Sequence, residues 1–211
     1  MNRILIVIIT LVLTSSLFFN NTKAELRNRI VVKVGSSLVS AIDIRNEIIT
    51  TLLLTGQEVN QENINKNKNL AIKQLISNTI KRDEITKYET TEYSKKDLNN
   101  YIEQVTKKFN TNVVGLKKIF NIHELSYEDF VRKQETQLLW NTLIFDLYRN
   151  QININIIEVE NEVKKLVDSG TETDENDVKK QILFKKKNEK LGLFSRSHYS
   201  NLENKISIKF Q

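Results

Sequence analysis

The chain of 211 residues has no cysteine and no proline, and its one methionine is Met1. Without cysteine no disulfide can staple the fold, so burial of apolar side chains has to hold it together. Without further methionine there is no soft Met-rich surface able to mould itself to many partners. Proline is missing against an average usage of about 5%, while isoleucine, asparagine and lysine abound, which we read as a compositional bias of the genome. A basic stripe interleaved with aromatics is lacking too. The formal charge of +6 invites a nucleic-acid reading, but the lysines are mixed with Glu and Asp, and ungrouped charge of that kind does not make a nucleic-acid surface. A mildly basic surface suits acidic polypeptides or lipid headgroups instead.

What is present begins with an export pattern. Arg3 precedes an apolar run from Ile4 to Leu13 broken only by Thr10, followed by small polar residues that lead to Thr22-Lys23-Ala24. A charged start, a short apolar middle and small residues before the cut make a signal peptide, with cleavage expected after Ala24. The competing reading is an uncleaved anchor. Even extended through Phe18 and Phe19, the run falls at the short end of the roughly 17 to 25 residues a membrane span needs, and no later stretch reaches that length. Removal of residues 1–24 takes away Arg3 and Lys23, leaving 187 residues at net charge +4. One or two small domains fit that length.

Along the rest of the chain the periodicity is mostly helical. Ile30 to Val34 is β-branched and Gly35-Ser36-Ser37 turns it into Leu38-Val39, a short hairpin. Ser40-Ala41-Ile42-Asp43, Ser94 to Asp97 and Ser126 to Asp129 repeat one pattern. A serine hydroxyl accepts from an early helix amide while the aspartate sits where the helix dipole favours negative charge, so three helix starts are predicted. A run from Gln61 to Tyr88 sets Ile72, Leu75, Ile76, Thr79 and Ile80 on one side. The helix from Ser94 carries a stripe of Leu98, Tyr101, Ile102, Val105 and Phe109, and Val113, Leu116, Ile119 and Phe120 make a shorter helix. The helix from Ser126 turns apolar nearly all round at Leu138-Leu139-Trp140 and Leu143-Ile144-Phe145, which marks it as the central, buried one. Ile154 to Glu158 reads as a connector, with a short helix after it on Val159, Val163 and Leu166.

The stretch 168–177 is polar and acidic and reads as a linker. A lysine-heavy helix is expected from Val178 to Asn204 with Leu191, Phe194, His198 and Leu202 on one side, and residues 206–210 alternate as a strand does. That strand needs a partner. The unpaired β-rich segment available is the hairpin at Ile30, so the two ends of the exported chain are expected to meet in one small sheet; a lone hairpin is marginal in water and a third strand corrects that.

Little in the sequence points to catalysis. His123 and His198 have no partner at metal-ligand spacing, so neither a metal nor any other cofactor is expected. Ser195 and Ser197 near His198 lack the Gly-rich elbow of a hydrolase nucleophile. Glu158, Glu160 and Glu162 read as a solvated helix face before Lys164 and Lys165. Lys185-Lys186-Lys187 reads as the exposed side of an amphipathic helix sooner than as a lipid contact.

The order of elements resembles one known family. Asn28 to Gly35, then Leu38-Val39-Ser40-Ala41-Ile42-Asp43-Ile44, is similar to the opening of SurA, and the Leu70-to-Tyr88, Tyr93-to-Phe109 and Ser126-to-Arg149 segments resemble the helices that follow. Glu158 to Val163 looks like the helix leading into that family's first parvulin domain, and Leu202 to Phe210 looks like its closing helix and strand. The resemblance spans nearly the whole exported chain. It implies a mostly α fold, a helical SurA-like core with a small sheet built from the N-terminal hairpin and the C-terminal strand. Its domains would be a signal peptide over 1–24, a helical domain over 25–167, the acidic linker 168–177 in place of the parvulin domains, and a C-terminal helix and strand over 178–211 packing back on the first domain.

The resemblance further implies a periplasmic chaperone without ATP or cofactor, binding unfolded outer-membrane proteins or other exported polypeptides. Ten residues cannot fold as an isomerase domain, so prolyl isomerase activity, and with it any enzymatic role, is not expected. Client binding would need a cleft with apolar and aromatic walls. Phe109, Leu116, Phe120, Tyr127 and Phe130 are the candidates, lying where three successive helices join, although stripes at helical spacing usually face inward. The alternative is a scaffold subunit binding one envelope partner tightly, and a pull-down separates the two: one dominant partner or a spread of barrel precursors.

Overall fold

The computed structural model describes residues 29–168 and 174–211. The expected signal peptide therefore lies outside the described residues, as does the middle of the acidic stretch. Three strands and seven α-helices are present among the described residues: β1 (Ile30–Val34), β2 (Ser37–Ser40), α1 (Ala41–Thr55), α2 (Gln61–Lys87), α3 (Lys95–Lys108), α4 (Val113–Ile122), α5 (Tyr127–Tyr148), α6 (Ile156–Asp168), α7 (Glu175–Glu203) and β3 (Ile208–Phe210). The architecture is the mostly helical one expected, and the small sheet joins both chain ends as predicted.

The chain divides into two compact units. One comprises the described part of Met1–Thr79 with Ile119–Leu125 and Ser207–Gln211, the other Ile80–Lys118 with Ser126–Ile206.

The first unit holds the sheet, in the order β2-β1-β3. Val34 pairs with Ser37 across a two-residue turn. Gly35 takes a φ of 57° there, in the left-handed region where glycine pays no Cβ penalty. On its other side β1 runs antiparallel to β3, with Val32 opposite Phe210 and Val34 opposite Ile208. Val32, Val34 and Val39 are buried and alternate with exposed Lys33 and Leu38, the pattern of a sheet with one dry face. Below it α1 buries Ile44, Ile48, Ile49 and Leu52.

The start of α1 is a full capping box. Asp43 N–H donates to Ser40 Oγ at 3.2 Å and Ser40 N–H donates to Asp43 Oδ2 at 2.8 Å, which satisfies two otherwise orphaned donors. Arg45 then reaches the Ile119–Leu125 segment, donating to the His123 carbonyl at 3.5 Å and pairing with Glu124 at 3.2 Å.

In the second unit α5 is the hub. Trp140, Leu143 and Ile144 form a buried cluster with Ile85 of α2, against which Leu191, Phe194, Tyr199 and Leu202 of α7 pack. A second cluster joins Val159 and Val163 of α6 to Val178 and Ile182 of α7. The sequence stripes predicted the α5 face, the Leu191–Leu202 side of α7 and the Val159 and Val163 side of α6 but not Val178 and Ile182, and Leu166, grouped with the core by spacing, is 43% exposed.

Three boundaries differ from expectation for local reasons. Helix α6 starts at Ile156 and not Val159, because Asn155 Oδ1 accepts from the amides of Ile157 and Glu158. Helix α7 starts at Glu175, because Asp174 Oδ1 accepts the Asn176 N–H at 2.9 Å and the acids that read as linker also suit a helix N-terminus. Strand β3 starts at Ile208, because the Ile206 N–H still donates to the Leu202 carbonyl.

Candidate functional site

The junction of α3, α4 and α5 is built by caps. Helices α3 and α5 open on Ser94 and Ser126, whose hydroxyls accept the amides of Asp97 and Asp129 at 3.2 and 3.0 Å. Between α3 and α4 the chain turns through Asn110 at a φ of 49°, a residue type that tolerates the left-handed region. Asn112 Oδ1 accepts the Gly115 N–H at 3.0 Å, which starts α4. A Cβ at Gly115 would collide with the Thr111 side chain, so glycine is required there by close approach.

Not all five candidates can touch a ligand. Leu116 and Phe120 have no exposed surface and Phe130 has 6%; they are core, in keeping with the inward tendency of helical stripes. Phe120 also belongs to the other unit. Phe109 and Tyr127 are half-buried and remain available.

Around them the structure adds residues beyond the five candidates. Tyr127 and Tyr101 lie on either side of Phe130, at ring-centroid distances of 6.0 and 5.9 Å. Loss of water pushes the pKa of both tyrosines up, helped at Tyr127 by the charge of Glu128, so both hydroxyls keep their protons. Lys117 holds its ammonium 4.9 Å from the Tyr127 ring and 3.5 Å from Glu128. Val113 and Val114, four and three positions before Lys117, share its side of α4 and are 42% and 63% exposed. Val113, Val114 and the Lys117 stem thus share one exposed side of α4, and the Lys117 ammonium reaches from it to the Tyr127 ring. The doublet Val113-Val114 was the sequence signal for it, while the contact between Lys117 and Tyr127 left none.

A second constellation of titratable groups lies inside the second unit. His198 Nε2 is 3.2 Å from Glu84 Oε1, and Tyr148 Oη is 2.8 Å from His198 Nδ1. A carboxylate only accepts, so Nε2 carries the hydrogen, and in that tautomer of the neutral ring Nδ1 accepts a hydrogen bond from the Tyr148 hydroxyl. Burial first, then the charges of Tyr88 and Glu84, raises the pKa of Tyr148, which disfavours a phenolate nucleophile. Trp140 Nε1–H donates to Ser195 Oγ at 2.8 Å, and Tyr148 stacks on Phe194 at 4.8 Å. Every member of this network has a packing role, and His198 is the partly packed histidine the sequence indicated.

The charged runs are likewise engaged. Lys186 pairs with Glu158 and Glu162 at 2.8 and 3.0 Å, which lowers the pKa of Glu158 and raises that of Lys186. Lys187 lies over the Phe145 ring at 4.9 Å. Among the described residues no group of three or more His, Asp or Glu side chains is placed to hold a metal ion, and no helix is long and apolar enough to cross a membrane.

No protein-family model matches the sequence, and no curated protein matches it either. Among solved structures the chain is similar to one from a study describing the virulence factor PEB4 and the periplasmic protein Cj1289 as two structurally related SurA-like chaperones of Campylobacter jejuni. The match has 14% identity and a TM-score of 0.43, and it covers 87% of this chain and 99% of that one.

Proposed function

We propose that the protein is an exported, periplasmic, ATP-independent chaperone that holds unfolded polypeptide segments, outer-membrane proteins among them, without prolyl isomerase activity. The observation that carries the reading is the return of Ile208–Phe210 to pair with Ile30–Val34, the closure on which the resemblance to SurA rests. The surface of Val113, Val114, Lys117 and Tyr127 supports it, since client capture needs apolar area already facing solvent. Positions 169–174, between α6 and α7, are too few to fold as an enzyme domain.

The mechanism is mass action. Apolar client segments bind weakly at several points, which lowers the free unfolded population and with it the rate of aggregation. Tyr127 and Phe109 supply rigid aromatic area at low entropic cost, and Lys117 favours clients with acidic residues beside apolar ones.

The exported form, residues 25–211, should suppress aggregation of a denatured outer-membrane barrel diluted from urea, at modest molar excess and without nucleotide. Absence of suppression would end the reading. In a prolyl-peptide isomerisation assay the same protein should run at background; a clear catalysed rate would remove the statement about isomerase activity.

A further inference from the structure

The open edge of the sheet suggests how one kind of client is held, an inference that rests on the polypeptide-binding reading above. Backbone hydrogen bonds alternate along an antiparallel ladder, so the register fixes which groups of β3 face away from β1. The Gly35 N–H donates to the Ser207 carbonyl at 2.9 Å, and the Gln211 N–H to the Val31 carbonyl at 3.0 Å. The bonded positions are therefore 35 with 207, 33 with 209 and 31 with 211. Lys209 spends its N–H and C=O on β1, while those of Ile208 and Phe210 point to the open side. Among the described residues no backbone group bonds to them there.

The side chains sort in the same way. Phe210 and Ile208 lie opposite Val32 and Val34, which have no exposed surface, yet Phe210 is 67% exposed. It is an aromatic residue on the dry face with nothing of the described chain over most of it. On the other face Lys209 is opposite Lys33, Leu38 follows beside Lys33 at 55% exposure, and exposed Arg29 precedes β1.

We propose that β3 accepts an extended client segment as a fourth strand of the sheet. The segment's apolar side chains cover Phe210 on the inner face, and its acidic side chains meet Lys209 and Lys33 on the outer face. Main-chain bonds to Ile208 and Phe210 supply affinity independent of sequence, and the alternation supplies selectivity. A second copy of this chain does not fit: symmetric antiparallel pairing about residue 209 sets Lys209 against Lys209, and like charges directly opposite destabilise a sheet. A short edge strand bearing lysine guards against self-association, and the same lysine favours an acidic strand.

The test uses two blocked eight-residue peptides, one alternating Val and Glu and the other alternating Val and Lys, labelled for fluorescence anisotropy against the full exported chain. The Val-Glu probe should bind and weaken as salt rises; the Val-Lys probe should bind roughly tenfold more weakly or worse. Phe210→Pro removes both the outward N–H and the aromatic ring that the segment would cover, at a position where an edge tolerates proline, so the unfolding midpoint should hold while probe binding falls at least about tenfold. Lys209→Glu should exchange the preference between the two probes. Wild-type protein that ignores the Val-Glu probe, or Phe210→Pro protein that binds it undiminished, overturns the proposal. Should Phe210→Pro unfold, a Val-Glu probe N-methylated at alternate residues applies the same block from the ligand side, and undiminished binding of both methylation registers overturns the proposal equally. The outcomes also separate the two readings. Wild-type protein that fails to suppress aggregation rejects chaperone action as a whole, whereas full suppression without probe binding rejects the edge alone.

Discussion

Leu116 and Val114 stand two positions apart on α4, one with no exposed surface and the other 63% exposed, so a pair of substitutions separates core from surface. Leu116→Ala removes three carbons at about 0.8 kcal/mol each, roughly 2.4 kcal/mol of transfer free energy. The cavity left behind brings such changes to about 2–5 kcal/mol. Taking about 3 kcal/mol, and about 2–4 °C per kcal/mol for a chain of this length, the melting midpoint should drop by roughly 6–12 °C. Val114→Asp forfeits only the covered third of a valine, about 0.5–1 kcal/mol. A carboxylate at the second position of a helix recovers about 0.3–1 kcal/mol from the dipole, so the midpoint should move by under about 2 °C. Its effect falls instead on client holding, because a charge replaces apolar surface beside Tyr127. Thermal melts by far-ultraviolet circular dichroism and light scattering of a diluted barrel protein read the two effects separately. If Val114→Asp melted as early as Leu116→Ala, or left suppression untouched, the surface assignment would be wrong.

Two further outcomes test the packed network and the tyrosines. His198→Ala withdraws a partner from Glu84, whose side chain is 7% exposed and keeps Lys87 at 3.3 Å; the loss should be about 2–3 kcal/mol in urea unfolding. The double variant with Glu84→Gln should cost less than the sum of the single changes by about 0.5–3 kcal/mol, and strict additivity would dissolve the link. Tyr101, Tyr127 and Tyr148 hold their protons more tightly when folded, so their contribution to stability is complete below about pH 10, where the unfolded chain starts to ionise. It is lost as pH rises through the higher folded values. In a phenolate absorbance titration these three should lag, as should Tyr93 through its hydrogen bond to Glu135; all six tyrosines ionising near pH 10 in the folded protein would contradict the desolvation argument.

Local chemistry was the legible part. Three serines followed by aspartate at the third position gave three helix starts, because a cap is decided by atoms within one turn. The stripes on α3, α5 and α7 gave the inward faces, and the orphaned alternation at the C-terminus gave its own partner. Periodicity names the side that faces in without saying how deeply it is covered, so Leu116 and Phe120 read as wall candidates when they are core. The acids at 174–177 look the same in a linker as in the first turn of a helix, and only the Asp174 cap decides between them. Glu84, Tyr148 and His198 could not be joined by any spacing rule, since they come from three separate helices brought together by the packing of α5.

The central place of β1, between its immediate neighbour and the far end of the chain, sets an order of events during synthesis. Val34 meets Ile208 across 174 positions (208 less 34), and closing a loop of that length costs roughly 4–5 kcal/mol in chain entropy. No such pairing can begin until Ile208–Phe210 has emerged, whereas the hairpin of β1 and β2 is complete at Ser40, eleven residues after Arg29. Throughout elongation, then, the hairpin presents a bare strand with two apolar valines to whatever lies nearby, and the growing protein passes through the same hazard from which it is proposed to shelter others.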